Sequence, residues 1–251
     1  LTELESQVSP TIDMGLYLDD SDSIYRYFDS LSERIAYNLA FPNEPRKLVL
    51  IPDTYFMSLA RMARAYNLLE QPEKAERYAQ EAHRISPLGI DATLLLLRTL
   101  EDQSKVFEAA KLLKNFIAHI FSSSDVALVY YRLAYMEWKL GRSDLCAACY
   151  QMAMIIGGSV AQPAKEELED LLKADASVKK LDTPQEVFSF LKQNGVPVFD
   201  QKAVFNKAVA IGSACVNDGI YCVGQNMLKN CLEITFDDAA AKVESSLRTP
   251  F

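Results

Sequence analysis

The chain is poor in the side chains that move protons near neutral pH: of its 251 residues only His83 and His119 are histidines. Histidine is the usual general acid–base at that pH. Both fall late in the second helix of a predicted helix pair, where a solvated or half-buried position is expected. The sequence also lacks a Walker A loop, a GxGxxG, a GxSxG and an HExxH. That removes the common phosphate cradles, nucleophile elbows and zinc-protease helices. No enzyme, cofactor or metal is expected.

Other absences bound the fold and its partners. Nine Gly and ten Pro are too few for a linker or a turn-rich all-β chain, so helix is favoured. Apolar runs are short, as in Leu94 to Leu97, against the roughly 20 residues needed to span a bilayer. No basic segment followed by an apolar one opens the sequence. No signal peptide is therefore expected. The chain starts at Leu1, as a trimmed or processed piece would. Lys and Arg number 26 against 34 Asp and Glu, a net charge of −8 with no local basic cluster, so nucleic acid is an unfavourable partner. Five cysteines, an odd number without framework spacing, suit free thiols in a reducing, cytoplasmic setting.

What is present is helical periodicity. The first 20 residues hold none, but Ile24, Phe28, Leu31 and Ile35 recur at helical spacing behind the capping residues Ser21-Asp22-Ser23. Lys47 to Ile51 reads as extended, with Asp53 or Thr54 as the next N-cap. Leu59, Met62, Ala63 and Tyr66 then form one apolar stripe. After Glu70-Gln71-Pro72, Ala75, Ala79 and Ala82 form a second, which Pro87 ends. Small residues at such places let two helices approach closely.

Counted from Phe56, the residues Ala63, Tyr66, Ala75, Ala82 and Pro87 occupy the small, aromatic and proline positions of a 34-residue unit, which resembles the tetratricopeptide repeat. A second copy from Ile90 carries Leu96, Leu97, Leu100, Ala109, Leu113 and Phe116, with Leu97 where the family has a small residue and Phe121 in place of the terminal Pro. A third starts at Ala127, three residues late, with Leu133, Ala134, Gly141, Cys146, Tyr150 and Ala153. Its Glu137 stands where an aromatic is usual, which predicts a wetter helix face. Beyond Gly157-Gly158 the register is lost. Pro163 to Ala174 predicts an acidic amphipathic helix, and Thr183-Pro184-Gln185-Glu186 is a helix-start signature. A degenerate fourth copy aligns from Phe205, with Gly212, Cys215, Gly219, Gly224, Leu228 and Cys231 at packing positions. Asp200 is expected to cap its first helix, and Asp237-Asp238 a last helix through Leu247.

The resemblance implies an all-α fold, a right-handed α-solenoid of helix-turn-helix repeats with helical flanks. Its expected parts are an N-terminal helical flank over 1–53 and three repeats over 54–160 (56–89, 90–123 and 127–160). A C-terminal helical region over 161–251 would hold the possible repeat at 205–238 and a capping helix. It also implies a non-enzymatic scaffold that binds protein or peptide in a concave groove lined by the first helix of each repeat.

Groove positions map to Met57, Arg61, Arg64, Asn67 and Leu68 in the first repeat and to Leu94, Leu95, Arg98 and Glu101 in the second. In the third they map to Leu128, Tyr131, Arg132, Tyr135, Trp138 and Lys139. The expected site is Arg61, Arg64, Asn67, Arg98, Tyr131, Arg132, Tyr135 and Trp138. Arg, Tyr and Trp are hot-spot residue types, and the arginines favour acidic segments with apolar side chains. The competing reading leaves the arginines solvated and packs the aromatics under C-terminal helices. The carboxylate clamp of some family members is not matched, with Ala60, Arg64, Leu95 and Leu128 at its positions and only Arg132 fitting the basic pattern. Rival functions are a small-ligand or sensory module with an aromatic-lined pocket, and self-association. Cys146-Ala147-Ala148-Cys149 is a CxxC inside a predicted helix with no second pair, so packing is favoured over metal or redox chemistry.

Overall fold

The computed structural model describes residues 1–120, 122–198 and 201–226. The chain divides into two compact units, one of residues 1–119 with 135–142 and one of residues 120–134 with 143 onward. The protein is predominantly α-helical, as expected, with a single two-stranded ribbon among the described residues.

The first unit opens with α1 (Thr2–Asp13), β1 (Ser23–Arg26), α2 (Leu31–Ala40) and β2 (Lys47–Leu50). The helix expected behind Ser21 to Ser23 is not formed there. Residues 23–26 pair in parallel with 47–50, in the register Ser23↔Lys47 to Arg26↔Leu50. The β-branched and aromatic Ile24, Tyr25 and Tyr27 suit a strand, and Ile24 and Tyr27 are buried. The helix starts later, at Leu31, where the Ser30 side chain accepts from the Glu33 N–H. Although the first 20 residues show no sustained period, α1 forms and packs on the helix that follows β2, with Val8 buried. The Tyr78 hydroxyl, donating to Glu5 at 3.3 Å, and an Arg77–Asp13 ion pair tie it to the helix over Pro72–Ile85 as well. The N-terminal flank is thus helix and strand together.

Two helix hairpins follow: α3 (Asp53–Leu68) with α4 (Pro72–Ile85), and α5 (Ile90–Asp102) with α6 (Val106–Ile117). Asp53 lies inside the first turn of α3, and Pro52 takes the N-cap position. Connections of three residues leave packed neighbours no choice but to run antiparallel. Contacts run α3 to α4, α4 to α5, α5 to α6, and α3 to α5. Ala63, Ala75, Ala79 and Ala82 have no exposed surface, so the two stripes of small residues meet inside the first hairpin. Leu97, where a small residue was expected, is itself buried.

The same turn recurs along the chain. Glu70 (φ 54°), Ser104 (φ 56°), Gly141 (φ 74°) and Gly219 (φ 80°) all adopt the left-handed conformation just past a helix. After each, the next N–H bonds back to the carbonyl five residues earlier: Gln71 to Tyr66, Lys105 to Leu100, Arg142 to Glu137 and Ile220 to Cys215. This is the Schellman arrangement, which satisfies the last carbonyls of a helix and reverses the chain.

The second unit holds residues 123–134 of α7 (Ser123–Lys139), α8 (Ser143–Ile156), α9 (Ala161–Ala174), α10 (Pro184–Gln193) and α11 (Gln201–Asn217). The α8 helix is its centre, packed on both α9 and α10. Gln151 of α8 pins the loop before α10 by exchanging two hydrogen bonds with the Leu181 backbone at 2.7 and 3.0 Å. Thr183 and Glu186 form the expected capping box at α10. A side chain at Gly224 would meet the Gly212 carbonyl at 2.8 Å, so these two glycines bring α11 and the next helical segment together. Phe121, Asp200 as a cap, Leu228, Cys231 and the helix expected over 237–247 lie outside the described residues.

Candidate functional site

On α3 the residues 57, 61, 64 and 68 fall within one narrow sector at 100° per residue. All four are exposed, Met57 at 43% and Leu68 at 85% of their surface. Arg61 and Arg64 have no hydrogen-bond or ion-pair partner among the described residues. That is unusual in this chain, where Arg26, Arg46, Arg77, Arg84, Arg98 and Arg142 all pair with carboxylates. Asn67, half-buried beside this stripe, keeps its side-chain oxygen buried without a hydrogen bond.

On α5, Arg98 is exposed and reaches Asp102 one turn on, at 3.1 Å. Such surface pairs contribute little and release their cation easily. At the end of α7, Tyr135 and Trp138 stack with ring centroids 5.8 Å apart, 38% and 49% exposed. The Lys139 ammonium stands 5.4 Å from the Tyr135 centroid and 5.7 Å from that of Trp138. The helix face that carries Glu137 is not wet, contrary to the expectation. The Glu137 carboxylate is fully buried, 2.7 Å from Lys114 of α6 and 3.1 Å from Arg142. Two cations replace the water that a buried carboxylate would otherwise require.

Tyr131 and Arg132 belong to the second unit. The Tyr131 hydroxyl donates to Glu167 of α9, and Tyr150 of α8 donates to the other oxygen of the same carboxylate. The bond to Glu167, with burial, pushes the Tyr131 pKa up to about 12. Burial and the same carboxylate raise that of Tyr150 further. The aromatic stripe expected on α7 therefore has two environments: Tyr131 donates to Glu167, while Tyr135 and Trp138 face solvent. Arg132 is half-buried.

The remaining candidates show no catalytic geometry. Cys146 and Cys149 are buried in α8 outside any disulfide, whereas Cys222 is exposed. Among the described residues no cluster of His, Cys, Asp or Glu is placed to hold a metal ion. His119 is exposed, and the half-buried His83 leaves Nδ1 without a partner, its pKa pushed down to about 4 by burial.

A feature the sequence did not announce is an open depression of about 330 Å³ between α4 and α6. Leu96 and Leu100 of α5 line it with Glu76, Lys105 and Lys111. No aromatic residue lines it. Repeat spacing places helices but does not show where two of them stand apart, so this hollow had no sequence signal. Among the described residues no helix is long and apolar enough to cross a membrane.

The sequence matches no protein-family profile. It matches no curated protein. Chains of several solved structures align with it, among them two described as crystal structures of MamA. The first is 16% identical over 72% of this chain and 97% of its own, with a TM-score of 0.40. The second is 14% identical over 78% and 97%, with a TM-score of 0.41.

Proposed function

We propose that the protein is a non-enzymatic scaffold of the tetratricopeptide-repeat type that binds a protein or peptide through its first-helix faces. The observation that carries this reading is the recurring turn. The left-handed residues Glu70, Ser104, Gly141 and Gly219 each stand at the same place in the copies starting at Phe56, Ile90, Ala127 and Phe205. A single helix hairpin buries too little apolar surface to be stable, and stacking successive hairpins supplies the missing core. On this reading the chain carries repeats at 56–89, 90–123, 127–160 and 205–238, between a flank at 1–53 and a C-terminal helical region.

The binding residues are Arg61, Arg64, Asn67, Arg98, Tyr135 and Trp138 of the first unit, with Tyr131 and Arg132 as those of the second. Arg61 and Arg64, without a partner among the described residues, make a directional field on an acidic protein that favours segments with acidic side chains. The stacked Tyr135–Trp138 pair offers the apolar contact such a segment also needs. Cys146 and Cys149, buried and outside any disulfide, support a reducing, cytoplasmic location. The hollow over α5 does not favour a small-ligand module of the aromatic-lined kind.

The test is an affinity pull-down from native cell extract, comparing wild type with Arg64→Ala/Arg98→Ala/Trp138→Ala. All three side chains are exposed, so the variant keeps its fold, which circular dichroism checks. A protein retained by the wild type and lost by the variant supports the reading. Equal retention moves the interface off this face, and retention only of the chain itself makes self-association the better account.

A further inference from the structure

The order of residues along α3 specifies more than the sign of the partner's charge. Met57, Arg61, Arg64 and Leu68 follow the spacing i, i+4, i+7, i+11, so they form one straight row about 16 Å long. The row reads apolar, cation, cation, apolar. Its two ends are exposed hydrophobic side chains and its middle is two guanidinium groups without partners among the described residues. Beside the row stand the buried Ala60 and the half-buried Asn67 on one side and Ala65, which presents only a methyl group, on the other, so the four row residues project furthest from this face.

We propose that α3 docks an amphipathic helix of a partner protein, whose contacting face carries apolar, acidic, acidic and apolar residues at the same i, i+4, i+7, i+11 spacing. The inference rests on the binding-scaffold reading and adds the partner's secondary structure and register. Two helices packed side by side present rows of matching pitch, so one row can meet the other along its whole length. An extended strand cannot do this: its side chains on one face repeat every ~6.8 Å. The helical row repeats about every 5.4 Å, so the two drift apart over three turns. Each carboxylate finds a guanidinium, and the bidentate pairing open to arginine gives orientation as well as affinity. The apolar ends supply the water-excluding contacts that charge pairs alone lack.

The probe is a fluorescein-labelled peptide of about 16 residues. A staple on its far face holds it helical, with Leu, Glu, Glu and Leu at the four contact positions. Fluorescence anisotropy in low salt gives its affinity for the full chain. The wild type binds it, and Arg61→Glu/Arg64→Glu weakens binding by at least about tenfold. A peptide with Lys in place of both Glu recovers that loss on the charge-reversed protein but binds the wild type poorly. Met57→Asp and Leu68→Asp each weaken the original peptide as well. These side chains are exposed, so all variants should match the wild type in circular dichroism and melting temperature.

Equal binding of the original peptide by wild type and charge-reversed protein overturns the proposal, as does failure of the reciprocal swap. A proline-interrupted peptide of the same composition separates the two layers. If it binds better than the stapled one and still depends on Arg61 and Arg64, the helical register is wrong and the binding face stands. If neither peptide binds, and the extract partner is retained by Arg61→Glu/Arg64→Glu, both readings fall.

Discussion

At the scale of single residues, the ionisable groups that matter for stability are those the fold encloses. Glu137 is the clearest, a carboxylate with no exposed surface held between Lys114 and Arg142. Lys114 is the more enclosed cation, so Lys114→Ala leaves the charge short of its nearer partner. Breaking a buried pair in this way costs about 3–5 kcal/mol. Urea denaturation should show that loss, and a smaller one for Arg142→Ala. His83 makes an opposite use of burial. Its folded pKa is pushed down to about 4 by burial, against about 6.5 in an unfolded chain. The unfolded state therefore takes up a proton first as pH falls, and stability is lost between pH ~6.5 and ~4. In His83→Leu, which cannot titrate, the melting temperature should fall less between pH 7 and pH 5 than in the wild type.

At the scale of the element, the turns and the alanine stripes set how helices pair. Two of the left-handed turn residues are not glycine: Glu70 and Ser104. A side chain there crowds the following carbonyl, at a cost of roughly 1–2 kcal/mol, part of which glycine's extra unfolded entropy takes back. Glu70→Gly and Ser104→Gly should each raise stability by up to about 1 kcal/mol in chemical denaturation, while Gly141→Ala lowers it by a similar amount. The alanines allow the opposite error. Ala79 has no exposed surface in the α3–α4 hairpin, and Ala79→Leu overpacks it. The expected cost is about 1–3 kcal/mol, read as a lower denaturation midpoint.

At the scale of the whole molecule, charge is the organising quantity. The chain carries a net −8, yet Arg61 and Arg64 stand on an exposed face without a partner among the described residues. Association through them should be screened by salt, because the Debye length shrinks from about 10 Å at 0.1 M to about 3 Å at 1 M. Partner affinity measured by titration should therefore fall between those conditions. Binding that strengthens with salt would point to the apolar side chains alone.

How much was legible in the sequence follows from how local each cause is. Ala63, Ala75, Ala79 and Ala82 announced close helix contacts because helix periodicity and residue size are written in order along the chain. The capping box at Thr183 and Glu186 was equally readable, since all its atoms lie within four residues. The segment from Ser23 misled because Ile24, Phe28, Leu31 and Ile35 keep helical spacing, while strand pairing with residues 47–50 is a contact between distant segments.

The amino-acid order by itself determined a helical protein, the helix-turn-helix period near 34 residues, the absence of familiar catalytic motifs and the candidate face of arginines and aromatics. Tertiary structure alone decided which of those side chains are spoken for. Glu137 became buried because Lys114 and Arg142 reach it, and Tyr131 was taken by Glu167 while Tyr135 and Trp138 were left to solvent. The reason is physical: periodicity says which way a side chain points from its own helix, but only the packing of other helices says what it meets there.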